Sequence, residues 1–71
     1  MREILTEHLR RQPFVPFEVI LSSGDRYVVS HPENAALTRG RMFVTDPATE
    51  KVVECFLLHI ASVEVKENQE V

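Results

Sequence analysis

The stretch PFVPF, residues 13–17, separates two hydrophobic periods, and no single class of secondary structure satisfies both sides of it. Before it, Ile4, Leu5, His8 and Leu9 recur at i, i+1, i+4 and i+5, the stripe of an amphipathic helix. Glu3 near the start and Arg10 and Arg11 near the end suit the helix macrodipole, and Glu7 with Arg11 adds an i, i+4 pair. Gln12 precedes a proline, which disfavours the α region at that residue, so the spacing predicts a helix over 2–12. From Phe17 the period becomes two. Phe17, Val19 and Leu21 share one face and Glu18, Ile20 and Ser22 the other, as a strand requires. Pro13 and Pro16 stiffen the connector, so Phe14 and Phe17 reach the core with little chain entropy to lose.

The turn residues punctuate the rest. SSGD, with Gly24 free to take positive φ, closes a hairpin onto RYVVS, where Tyr27 and Val29 alternate with Val28 and Ser30. His31–Pro32 then breaks the run. Proline offers no N–H to a ladder, so the strand bends, bulges or reaches an edge, or enters a brief helical turn with Pro32 first and Ser30 or His31 as cap. AALT resumes an extended path, Arg39–Gly40 offers a tight turn, and RMFVT reads as another strand.

The segment DPATEKVVECFLLHIASVEV supports two readings. Asp46, Pro47 and Glu50 resemble a helix start, with Val53, Phe56, Leu57 and Ile60 as its stripe. Against this, KVVECFLL is rich in β-branched and aromatic residues, and Glu50 and Glu54 would repel across one helical turn. A strand at about 51–58, a turn near His59 and a last strand ASVEV is the favoured reading. KVVECFLL, apolar on both faces, is expected to lie under the helix on one side and against another subunit on the other.

With 71 residues there is material for one core, expected over 1–65 with the sheet at 17–65, and 66–71 read as a polar tail. Hydrophobic residues at 44% favour a globular chain over disorder. Cys55 is the only cysteine, which excludes an internal disulfide and leaves self-association or efficient packing to support so small a core. The net charge of −3 gives no global field for phosphates, although Arg10, Arg11, Arg26, Arg39 and Arg41 can form a local patch after folding. The opening segment lacks the apolar core of a secretory signal, and CFLL is too short to span a bilayer. The expected location is therefore cytoplasmic, without membrane partners.

The combination PFVPFEVILSSGDRYVVSHPE with a later LLHIASVEV resembles a family of short uncharacterised bacterial proteins that begin with a helix. The resemblance covers nearly the whole chain. It implies a short helix followed by a bent β-sheet or open barrel, and no activity. The element order is also similar to the Sm-like fold, whose members form rings through sheet edges and often bind RNA. Sm-like RNA binders carry an Asp and an Asn between the second and third strands and an Arg-Gly before the last. Here those loops read SHPENAAL and LLHIAS, so Asn34 corresponds only loosely and the late Arg-Gly is missing.

Catalytic and metal chemistry find no constellation in the sequence. His8, His31, His59 and Cys55 lack the close spacing of a structural zinc site. Cys55 and His59 would lie roughly 13 Å apart on a strand, too far to share an ion or a proton, and would be neighbours only on a helix. Glu54 and Glu64, an acid pair in principle, suit the solvent face of strands. Gly24 and Gly40 are the only glycines, so no phosphate loop exists. The expectation is an α+β, mainly β protein of about five strands, a helix packed on a bent antiparallel sheet or small open barrel of Sm-like or SH3-like kind. It would be non-enzymatic, without cofactor, self-associating or accepting a partner's strand at its sheet edges. His31, Arg39, Arg41, Tyr27 and Phe43 are the candidate interaction surface, and a nucleic-acid-binding barrel, with cations on phosphates and aromatics on bases, is the alternative.

Overall fold

The computed structural model describes residues 1–66; the remainder of the expected polar tail lies outside the described residues. Helix α1 (Arg2–Arg10) leads through the proline-rich connector into β1 (Phe17–Leu21), then β2 (Arg26–Val29), β3 (Ala35–Leu37), β4 (Arg41–Thr45), β5 (Val52–Phe56) and β6 (Ile60–Val65). Two 3-10 turns, Pro32–Asn34 and Leu57–His59, join β2 to β3 and β5 to β6. The strands form two antiparallel sheets in the orders β2-β1-β6 and β3-β4-β5. The chain is thus α+β and mainly β, with no closed barrel.

The helix ends earlier than the spacing predicts. Arg11 is already extended at φ −61 and ψ 136, so helical geometry is lost one residue before Gln12, whose bond to Pro13 is cis. The described residues hold six strands against the expected about five, with AALT confirmed as β3, and the Pro32 turn sends β2 and β3 into different sheets. His31 occupies the cap position of that turn without a side-chain cap bond. The two-way reading of residues 46–60 resolves as strand, turn, strand.

Leu5, Phe17, Val19, Val29, Met42, Val44 and Ile60 form one buried cluster drawn from the helix and both sheets. Each such aliphatic or aromatic side chain contributes roughly 1.5–3 kcal/mol on leaving water. Phe17 has no exposed surface and meets the rings of His8 at 4.9 Å and Phe14 at 6.0 Å. Of the expected helical stripe, Leu5 is buried, His8 and Leu9 are half-buried and Ile4 is exposed. The helix packs against β3, where Arg2 Nε donates to the Thr38 carbonyl at 3.2 Å. Of the two sides expected of KVVECFLL, the one under the helix is not found, because the helix packs against β3 at the opposite edge of that sheet; Cys55 is buried on the inner side, and Val52, Glu54 and Phe56 face outward.

Hydrogen bonds at the strand ends determine which main-chain groups the ladders use. Leu21 N–H donates to the Asp25 carbonyl (2.9 Å), Lys66 N–H to that of Pro16 (2.8 Å) and Leu57 N–H to that of Gly40 (3.0 Å). Antiparallel pairs alternate between bonded and non-bonded, so these bonds set the parity of each register. Tyr27 and Val29 turn their main chain to β1, while Arg26 and Val28 turn theirs off the sheet. Val53 and Cys55 bond β4, while Val52, Glu54 and Phe56 point away. In β6, Val63 and Val65 point away. By the same rule β3 directs Ala35 and Leu37 outward, on the edge beside the helix.

Two hairpins depend on left-handed residues. Gly24, at φ 99, closes the β1–β2 turn with its N–H on the Leu21 carbonyl at 2.9 Å. In the β4–β5 loop, Asp46 Oδ1 accepts from Ala48 N–H at 2.9 Å and Glu50 sits at φ 61, a cost that a side chain bears and glycine does not. Glu50→Gly should therefore stabilise the fold by about 0.5–1 kcal/mol and raise the melting temperature by a few degrees, measured by circular dichroism. A lower melting point than the parent would contradict this geometry.

Candidate functional site

The five residues singled out from the sequence separate into two groups. Arg41 and Phe43 alternate with the buried Met42 and Val44, which places both on the outer face of the β3-β4-β5 sheet. Arg39 is exposed in the preceding turn. Tyr27 is half-buried on the inner face of the other sheet, and His31 is exposed at the bend beyond it. They do not form one surface.

Arg41 is engaged within the chain. Its guanidinium lies 2.7 Å from Glu54 Oε2 and 5.4 Å over the Phe56 ring. With both ionic partners about half exposed, the pair adds at most about 1 kcal/mol, so its main effect is to neutralise the face and hold Phe56 in place. Around it the surface is apolar: Val52 is 62% exposed, Phe56 48% and Leu58, in the turn after β5, 94%. These three were not singled out as site residues in the sequence. Their signal was the surplus of apolar residues in KVVECFLL beyond what one buried face can take.

The outer face of the other sheet carries a different arrangement. Glu18 is 6% exposed although it faces away from the core. Arg26 Nη1 lies 2.9 Å and Lys66 Nζ 3.8 Å from its Oε1, and Glu64 stands opposite it across the β1–β6 ladder. Two cations thus meet the covered carboxylate of Glu18. Alternation alone marks Glu18 as a solvent-facing residue; only the register shows the cover that its neighbours give it.

A groove of about 370 Å³ runs between β2 and the β4–β5 hairpin. Tyr27, Val44 and Val53 supply apolar wall, and Arg26, Asp46 and Lys51 stand among its polar lining. It joins segments more than a dozen residues apart, so no local pattern announces it. A second, shallower depression of about 260 Å³ is bounded by Glu7, His8 and Arg11, and His8 Nδ1 is buried there without a hydrogen-bond partner.

The remaining chemical candidates do not converge. Glu54 and Glu64 belong to different sheets. His59 is exposed and meets Phe56 edge-on at 6.0 Å, while Cys55 is buried on the inner face. Among the described residues no group of three or more His, Cys, Asp or Glu could hold a metal ion, and no helix is long and apolar enough to cross a membrane. Asn34, the residue nearest the Sm-like pattern, accepts a hydrogen bond from Ser30 Oγ at 3.1 Å and so braces the bend. Comparison with protein-family models, curated proteins and solved structures gives no match to this chain.

Burial pushes the Cys55 thiol above its ordinary value of 9.0. The folded chain therefore holds the thiol proton more tightly than the unfolded chain. Stability from this group is complete below pH 9 and declines as the solution becomes more alkaline. A disulfide reagent at pH 8 should react far more slowly with the native protein than with the denatured protein. Cys55→Ala should reduce the alkaline loss of stability. Equal reaction rates in the two states would contradict the burial of this thiol.

Proposed function

We propose that the protein is a non-enzymatic interaction module that self-associates through the edge of β5. The observation that carries this reading is the coincidence, on one strand, of outward main-chain groups at Val52, Glu54 and Phe56 with the exposed apolar side chains of Val52, Phe56 and nearby Leu58. A sheet edge of this kind is ordinarily blunted, covered or paired. Here the helix is seated on β3 at one edge of its sheet, and β5 lies at the other. A second copy that adds a strand to β5 satisfies the open amides and removes the apolar strip from water. The open edge of β6 supplies a complementary strand for that purpose. The helix followed by two small three-stranded antiparallel sheets also supports an Sm-like reading, in which edge pairing between copies is the usual mode of assembly.

Nucleic acid is the less supported alternative. Arg26 and Arg41, two of the five arginines that could have formed a patch, are committed to carboxylates, and Tyr27 and Phe43 lie on different sheets.

Light scattering after gel filtration at hundreds of micromolar tests the proposal. The parent chain should elute at an integer multiple of its mass, and Leu58→Glu should weaken association by at least about tenfold while leaving the circular dichroism spectrum unchanged. A parent protein that stays monomeric throughout would overturn it. Co-purifying nucleic acid that dissociates steeply with salt would favour the alternative.

A further inference from the structure

The surface assigned to self-association carries a titratable side chain beyond the Arg41–Glu54 pair. His59, at the end of the Leu57–His59 turn, is exposed and sets its ring edge-on to Phe56 at 6.0 Å. Its chain neighbour Leu58 is the most exposed apolar residue of the strip. The elements bonded to this turn determine which charges surround it. Leu57 N–H donates to the Gly40 carbonyl, which brings up the β3–β4 turn with Arg39 and Arg41. Ser22 N–H donates to the His59 carbonyl at 2.8 Å, which brings up the β1–β2 turn with Asp25. Glu54 lies in β5 itself and Glu64 near the far end of β6. Among the described residues none of these carboxylates is within ion-pair distance of the imidazole. Glu54 is held 2.7 Å from Arg41, whose guanidinium already lies 5.4 Å over the Phe56 ring.

We infer that His59 makes self-association sensitive to pH: copies pair through β5 while its imidazole is neutral and separate when it gains a proton. This inference rests on the self-association proposed above and names its regulation. A neutral imidazole is a flat ring that a second copy can cover together with Phe56 and Leu58. An imidazolium would be a second cation against the Phe56 ring, with the nearby Glu54 already engaged by Arg41. Covering it leaves an unpaired charge away from water. Imidazole is the side chain whose ordinary titration falls between about pH 5 and 8. The assembled state binds that proton less well than the separate chains do, so association is full above this window and is lost as pH falls through it. The sign separates this device from an effect of net charge. Protonating the three histidines cancels the formal charge of −3, which lowers repulsion between copies and favours association in acid. His59 acts against that trend.

Light scattering of the full chain at about pH 8 and about pH 6, at one ionic strength, tests the inference. The association constant of the parent should fall at least about threefold between the two. The ratio of the two constants is the readout, so a variant's own affinity does not enter it. His59→Gln should bring that ratio to about one, while His31→Gln should keep the parent's ratio. His59→Lys, with a permanent cation, should associate poorly at both. Independently of any variant, the NMR titration midpoint of the His59 ring should move to lower pH as protein concentration rises. A parent that associates at the higher pH and equally or more strongly at the lower one would overturn the inference while leaving self-association intact. A fall in association that His59→Gln retains, or a His59 midpoint independent of concentration, would do the same. A parent that is monomeric at both removes the pairing surface and the inference together.

Discussion

The fold depends on β1 being engaged in every direction at once. Its main chain bonds β2 through Phe17, Val19 and Leu21 and β6 through Glu18 and Ile20, while Phe17 and Val19 are wholly buried. The rings of His8 and Phe14 reach Phe17 from the helix and the connector. A chain of this size cannot give every strand such treatment, because a small domain leaves a large share of its surface outside. Besides β1 only β4 is paired on both sides among the described residues; β2, β3, β5 and β6 are edge strands, and the molecule's capacity for interaction follows from where their unpaired sides lie.

The unpaired sides differ in character. β3 carries the helix, which anchors through Arg2 to Thr38. β2 borders a groove with a mixed polar and apolar lining. β5 presents its open amides beside Val52, Phe56 and Leu58, the most exposed large apolar side chains that follow β4. Arg41 reinforces that difference. By pairing with Glu54 and lying over Phe56 it removes free charge from the β5 face and makes it compatible with a second apolar surface. The charge that remains available, at Lys51, stands at the groove instead.

Much of this was legible in the sequence because it rests on local periodicity. The helix, the strands from Phe17 to Thr45 and the late strand–turn–strand all follow from two repeat lengths and a few turn residues. Pro32 marked a bend, and its 3-10 turn, with His31 at the cap position, is one of the forms that proline at a first position allows. The sequence could not show that this bend sends β2 and β3 into separate sheets, because strand partnership is a long-range property. The same limit explains the candidate residues. Tyr27 and Phe43 look alike in an alternating pattern, yet one points into the groove and the other lies on the far sheet's outer face. Glu18 reads as solvent-facing by alternation and is covered only because Arg26 and Lys66 fold over it. The surplus of apolar residues around Cys55 was visible, but which side would stay open was decided by the helix settling on β3.

Amide hydrogen exchange along β5, followed as a function of protein concentration, tests the open edge most directly. The ladder amides of Val53 and Cys55 should be protected at every concentration, since β4 holds them. Those of Val52, Glu54 and Phe56 should exchange quickly in dilute solution and become protected as copies associate. Fast exchange of all three at the highest concentration, or early loss of Val53 and Cys55 with them, would contradict an edge that is built to be paired.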